Sequence, residues 1–427
     1  MGAATLVIRG ARVLDPIERI DRVLDVRLDD GVISQLGEGV DANGHRVIEA
    51  AGRILAPAFV DPHVHLRTPG REDEETLATG AAAAAAGGYC AILAIPNTEP
   101  VVDDPELVRS LRARADAEAC IPIGFLAALT KGQNGTELSE LAALADAGAA
   151  GFTDDGRPVS SAGLMRRALQ YNAVTGKPVA VHCEEPSLTR GGQAHAGAIA
   201  AELGLGGWPS LGESLMVARD VDLAADTGQR VHLMHLSARE SVEHLRRARA
   251  ANAPVTGEAT PHHLCLTDEA VRTLDPNMKM NPPLRTAEDR AALVDAVRDG
   301  TIAAIATDHA PHSLDEKDVP FEAAPFGVTG LETAFAALYT YLVEPGVLRL
   351  ETLLERLSAG PAAIFGLERP RIAIGARANV TLIDPAASWR VKAERFRSRS
   401  SNSWLLGHRL QARIALTIAA GRVVHEL

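Results

Sequence analysis

The segment DPHVHLR places His63 and His65 two residues apart, and on a strand that spacing turns both imidazoles to one face. Alone the pair is weak, since 14 histidines in 427 residues give about half an H-x-H by chance. The same pattern recurs, however. FTDDG offers Asp154 and Asp155, VHCEE offers His182, HLMHLS offers His235 and ATDHAPH offers Asp308, each at the end of an apolar run. Four imidazoles with aspartate carboxylates are nitrogen and oxygen donors suited to zinc, and they can hold two divalent ions. Such ions lower the pKa of bound water and polarise a carbonyl. Arg67, two residues beyond His65, can present a planar fork to a substrate carboxylate.

These residues need a scaffold that brings five segments to one rim. Apolar stretches at 59–65, 90–96, 121–127, 150–155, 178–183, 230–236, 254–258 and 302–308 alternate with helical ones such as EETLATGAAAAAAGG and DPELVRSLRARADAEA. Eight such repeats over some 300 residues predict a (β/α)8 barrel, in which active sites form at the C-terminal ends of the strands. The alanine run at 81–86 is expected to be a tightly packed helix ended by Gly87 and Gly88. Both chain ends show the two-residue alternation of strands, with DDG and NG turns in the first. The expected organisation is a small antiparallel β unit built from both ends, residues 1–57 and 371–427, around a barrel at 58–370.

Composition removes other classes. A hydrophobic share of 46% and a mean hydropathy of +0.02 provide for a large core and exclude wholesale disorder. The net charge of −12 and a pI near 5.6 argue against nucleic acid as a partner. No apolar run of about 18 residues suggests a membrane span, and no secretory leader is visible, so a cytoplasmic protein is expected. Cys90, Cys120, Cys183 and Cys265 form no C-x-x-C pair and are expected to be buried, reduced thiols rather than zinc ligands.

From about residue 54 to 335, the segments FVDPHVHLRTPG, GGY, IPNTEPV, FTDDG, VHCEE, MHLSARESV, TPHHL, MKMNPPLR, ATDHAPH and APFGVTGLETAF occur in order. With them the chain resembles the bacterial type I dihydroorotases of the amidohydrolase superfamily. MNPPLR with TDHAPH and APFG is the specific part of the likeness, and residues 386–413 depart from the family pattern. The resemblance implies zinc, with His63, His65 and Asp308 on one ion, His182 and His235 on a second, and Asp155 bridging. It implies a shared hydroxide that attacks the ring amide of dihydroorotate, and Asp308 as the general acid and base. The product would be N-carbamoyl-L-aspartate, and ring closure would serve pyrimidine (UMP) synthesis. It also implies that Asn97 and His312 join Arg67 and His65 in binding the substrate, while Asn281 and the Phe326–Gly327 backbone contact the ring. A homodimer is expected, and association with aspartate transcarbamoylase is open.

Two other functions compete. Hydantoinases, dihydropyrimidinases and allantoinases usually bridge their metals with a carboxylated lysine; here the fourth strand ends in aspartate, and Lys131 and Lys177 lie outside it. A non-catalytic scaffold for aspartate transcarbamoylase would be expected to have lost ligands that this chain keeps. His262 and His263 read as supporting groups rather than ligands, Glu184 and Glu185 as orienting or capping groups, and 313–323 as a mobile loop over the site.

Overall fold

The structure is a computed structural model that describes residues 2–427. Eight parallel strands, Phe59–Val64, Tyr89–Ala94, Ile123–Ala127, Gly151–Phe152, Val179–Val181, Val231–Leu233, Val255–Ala259 and Ala304–Ile305, lie side by side in sequence order. This is the expected (β/α)8 arrangement. The barrel closes beyond the eighth strand, where His309 bridges Val64 in parallel and His65 N–H donates to His309 O at 2.8 Å. Several strands are shorter than the apolar runs that announce them; the fourth keeps only Gly151–Phe152. The residues that follow leave the ladder to turn polar side chains toward the barrel mouth.

The first barrel helix, Leu77–Ala86, starts with a capping box in which Thr76 and Thr79 exchange hydrogen bonds. Its alanines let it lie close to the sheet: a Cβ on Gly80 would come within 2.4 Å of the Leu66 side chain, and one on Gly87 within 2.0 Å of the Leu331 carbonyl oxygen. At Gly87 a side chain would force the backbone to move, whereas at Gly80 the end of Leu66 would have to shift.

Strands from both ends form the second sheet. Its order is Arg422–Glu426, Arg409–Ala419, Val380–Arg390, Ile54–Pro57, Leu6–Asp15, Ile20–Asp29 and Val32–Gly37, with Arg46–Glu49 also against Leu6–Asp15. The two ends meet where Ile54–Pro57 pairs antiparallel with Val380–Arg390. The sheet is mixed rather than purely antiparallel, because Arg46–Glu49 and Ile54–Pro57 both run parallel to Leu6–Asp15. The hairpin 20–37 occupies one edge of that strand, so the chain must cross over and return along the other edge in the same direction. Leu6, Ile8, Val26, Leu55, Val380 and Ile418 fill this sheet's own core.

Cys90 and Cys183 are buried, while Cys120 and Cys265 are only half-buried; all four are free. No helix among the described residues is long and apolar enough to cross a membrane.

At the base of the barrel Phe59, fully buried, stacks on Phe335 at 5.3 Å and meets Tyr89 edge-on at 5.6 Å. Phe59→Ala should cost about 3–5 kcal/mol, the scale of a large aromatic cavity, and lower the denaturation midpoint. A midpoint within error of the parent would show that the base repacks.

Candidate metal centre

Residues from the ends of five strands converge at one mouth. His63 and His65 come from the first strand, Asp155 follows the fourth, His182 the fifth, His235 the sixth and Asp308 the eighth. His65 Nε2 lies 3.0 Å from Asp308 Oδ1 and 3.6 Å from Asp155 Oδ2. His63 Nε2 lies 3.4 Å from Asp308 Oδ1 and 3.8 Å from Asp155 Oδ2. On the opposite side, His182 Nδ1 and His235 Nε2 face Asp155 Oδ1 at 3.3 and 3.6 Å and each other at 2.8 Å. Asp155 thus stands between two groups of imidazoles, one oxygen to each. The paired aspartates of FTDDG separate cleanly, since Asp154 turns away to accept the N–H groups of Leu129 and Thr130 at 2.8 and 3.0 Å.

This arrangement fits a cation better than a closed hydrogen-bond network. His63 Nε2 and Asp155 Oδ1 are buried without a hydrogen-bond partner, although buried polar atoms are nearly always paired. The ligand atoms of His63, Asp155 and His235, and those of His63, His65 and Asp308, lie within 4.8 Å of one another. Burial works to raise the Asp155 pKa, but the imidazoles of His182, His235 and His63 outweigh it and hold the carboxyl well below its ordinary range. A centre able to bind metal is therefore present, and its donor mix suits zinc.

The outer nitrogens of three imidazoles are tied down, which directs their inner nitrogens to the centre. His63 Nδ1 meets Glu258 Oε1 at 2.8 Å, His65 Nδ1 meets Asn97 Oδ1 at 2.9 Å and His182 Nε2 meets Glu184 Oε2 at 3.0 Å. Glu258 also receives His232 Nε2 at 2.9 Å and the His235 N–H at 3.3 Å. Burial raises the Glu258 pKa, but His232 and His63 more than offset this and bring it down to about 2.

A cavity of about 170 Å³ opens onto the centre and is lined by His65, Arg67, Asn97, Asn281, His312 and Phe326–Gly327, among others. Every residue expected to hold metal or substrate lines it except His63. No lysine does so. Arg67 is not a solvated surface arginine: its side chain is 15% exposed, with Nε 2.9 Å from the buried Glu74 and Nη2 3.3 Å from His312 Nε2. Because Asn97 Oδ1 is engaged by His65, its amide NH₂ remains as a donor. Asn281 Oδ1 is buried and unpartnered.

Phe326 and Gly327 stand on the cavity wall, with part of their backbone already engaged within the protein. The Phe326 carbonyl accepts His312 Nε2 at 2.8 Å, and the Gly327 N–H donates to Lys279 O at 2.9 Å. Both groups are engaged inside the protein because the loop is anchored: Lys279 Nζ donates to the carbonyls of Phe321 and Glu322, and Lys317 Nζ to those of Pro276 and Pro325. Segment 313–323 is correspondingly more structured than a free loop, with a capped helical turn at Leu314–Lys317. Glu185 caps Ser187. His263 bonds Thr260 Oγ1 and the Pro282 carbonyl, whereas His262 Nε2 is buried and unpartnered.

The supporting residues that the sequence did not expose are Glu258, Glu74 and Asn402. Glu258 ends the seventh apolar run as the others do, and that position was its only signal. Asn402 sits in the divergent tail, yet it holds His312 N–H at 3.0 Å and the carbonyls of Ala310 and Gly327 at 3.0 and 3.3 Å.

A family model described as dihydro-orotase-like matches residues 52–241. A curated dihydroorotase of Geotalea daltonii is 46% identical over 422 residues, covering 99% of each chain. One of Anaeromyxobacter dehalogenans is 46% identical over 424 residues, covering 99% of this chain and 98% of the relative. Among solved structures, the L-hydantoinase of Arthrobacter aurescens superposes with a TM-score of 0.89 at 24% identity, covering 99% of this chain and 96% of its own. A D-hydantoinase from Thermus sp. gives 0.82 at 23%, covering 99% and 95%. At these identities the hydantoinases share the fold.

Glu258→Gln keeps the shape of the side chain and removes the charge that orients His63. Metal affinity, read by competition with a chelator, should fall about 10–100-fold. Unchanged affinity would show that Glu258 merely fills the barrel.

Proposed function

The chain belongs to the dihydroorotase family, and on that premise we propose that the cavity at the barrel mouth carries out the reversible hydrolysis of dihydroorotate to N-carbamoyl-L-aspartate with zinc as its metal. The observation that carries this assignment is the convergence of four histidines and two aspartates around buried, unpartnered ligand atoms, beside a guanidinium in the same cavity. His63, His65 and Asp308 would hold one ion and His182 and His235 a second, with Asp155 between them. Bound there, divalent cations supply a water of lowered pKa and polarise the amide carbonyl.

The chain's own residues do the rest. Asp308 takes a proton from the attacking water and returns it to the departing ring nitrogen, a general base and then a general acid. Arg67 and the free NH₂ of Asn97 bind the substrate carboxylate, and His312 joins them by exchanging the Phe326 carbonyl for the substrate at its Nε2; Glu74 behind Arg67 and His312 fixes their positions. Asn281 Oδ1 supplies an acceptor for a ring N–H. The anchored Phe326–Gly327 turn shapes the wall against which the ring lies. A bridging aspartate in place of lysine, in a cavity without lysine, favours this substrate over hydantoin or allantoin. Metal analysis with side-by-side assays on the three compounds tests the reading: zinc-dependent turnover should favour dihydroorotate, and preference for another ring would overturn it.

Asp308→Asn should lower turnover by roughly 10²–10⁴, the range for lost acid–base catalysis, in samples shown by metal analysis to be loaded. Near-normal turnover would remove Asp308 from the proton path.

Hydrolysis converts a monoanion to a dianion and releases one proton. The equilibrium ratio of N-carbamoyl-L-aspartate to dihydroorotate should therefore rise about tenfold per pH unit between about pH 6 and 8. A ratio indifferent to pH would mean that a different bond is being opened.

A further inference from the structure

The tail that departs from the family pattern carries a charge distribution unlike the rest of the chain. Residues 389–414 hold seven Lys or Arg and a single acid, Glu394, in a protein of net charge −12. Three of these arginines, Arg395, Arg397 and Arg413, line a cleft of about 100 Å³ that opens to solvent between the end of the Leu77–Ala86 helix and the tail strands. None of its lining residues is shared with the catalytic cavity.

No carboxylate among the described residues pairs with these three guanidiniums; the tail's one acid pairs with Lys392. The one acidic side chain on the wall, Glu332, is committed elsewhere: it accepts the N–H groups of Arg397 and Ser398 at 2.7 and 3.0 Å. It thereby fastens the backbone that carries the arginines. The positive groups oppose one another. Burial and then Arg395 push the Arg413 pKa down, and His425 on the same wall is lowered by burial, Arg397 and Arg413. Arg395 and Arg397 are exposed and Arg413 is half-buried, so solvent screens part of their repulsion, and an anion among them relieves the rest; Leu427, at the end of the chain, lines the same cleft. The walls between the arginines are aromatic: Trp389 and Phe396 are half-buried, and the Arg413 guanidinium lies 5.6 Å from the Trp389 ring centroid.

We propose that this cleft binds a phosphorylated small molecule with a planar heteroaromatic ring, of the nucleotide class, its phosphate on Arg395, Arg397 and Arg413 and its ring against Phe396 and Trp389. Guanidinium forks match phosphate oxygens, and a flat ring stacks on aromatic side chains. The acidic remainder of the protein and the bounded cleft favour a single small anion over a nucleic-acid strand.

Calorimetric titration of the full-length chain with UMP, AMP and inorganic phosphate tests the proposal, with saturating N-carbamoyl-L-aspartate present to occupy the catalytic cavity. At least one nucleotide should bind at one site per chain, roughly tenfold or more tighter than phosphate, the scale of one stacked ring. Arg413→Gln, and separately the exposed pair Arg395→Gln with Arg397→Gln, should each weaken binding roughly tenfold or more. Dihydroorotate turnover should remain at the parent level. The exposed double variant keeps the test alive if Arg413→Gln fails to fold. Absence of saturable nucleotide binding, equal affinity for phosphate alone, or full affinity in the double variant would each overturn the proposal.

Discussion

The catalytic mouth depends on how the barrel closes. The first and eighth strands meet through the Val64–His309 bridge and the 2.8 Å bond from His65 N–H to His309 O. Asp61, fully buried, grips the same seam from within, accepting the N–H groups of His63 at 3.1 Å and Thr307 at 3.2 Å. Those bonds set the register that brings His65 to 3.0 Å from Asp308, although 243 residues separate them. Arg67, His235 and Asp308 all have positive φ, at 56°, 32° and 49°. Each such residue costs about 1–3 kcal/mol and persists only where its surroundings over-determine it. Here the closed barrel provides that determination, and the departures from strand geometry aim the side chains inward.

A layer of buried carboxylates stands behind the centre and extends to the tail. Glu258 holds His63 and His232. Glu75 meets His309 Nε2 at 3.2 Å and receives the Arg399 N–H at 3.2 Å and the Ser398 hydroxyl. His309 is the residue of the closing bridge, so the tail and the seam share one hydrogen-bonded group. Burying carboxylates is costly unless each is paired. In this layer they meet imidazoles and backbone N–H groups, which convert the cost into fixed orientation. Asn402 does the same without charge, joining His312 to the Ala310 and Gly327 carbonyls.

The legible part of the site was the part encoded locally. His63, His65, His182, His235 and Asp308 each end an apolar run, and a barrel places every such end on one rim. Spacing alone made Asp155 readable to within its doublet, and the family resemblance selected it; the structure shows why the two differ, since Asp154 is claimed by the N–H groups of Leu129 and Thr130 just beyond the third strand. Glu258 and Asn402 act on residues 195 and 90 positions away, and no spacing rule reaches across such separations. The internal bonds of the Phe326–Gly327 backbone were illegible for a related reason. A local motif identifies a turn, but whether its N–H and carbonyl remain open depends on Lys279 and His312, which arrive from other elements. Likewise, alternation located the terminal strands, while their mixed direction depended on which edge of Leu6–Asp15 the early hairpin occupied.

Charge imposes an order on the proposed reaction. The cavity that would receive an anionic substrate is faced by Asp155 and Asp308 and backed by Glu74, while Arg67 is its nearest fixed cation and already shares its charge with Glu74. The two aspartates are themselves balanced by the imidazoles around them, which hold Asp155 in its charged form. Divalent ions on the histidine–aspartate set would bring further positive charge to the side of the cavity where the proposed amide lies. The same asymmetry is the basis for proposing the substrate's carboxylate on the side of Arg67 and Asn97 and its amide on the side of Asp155 and Asp308. The asymmetry that positions the ring is the asymmetry that the barrel's closing seam maintains.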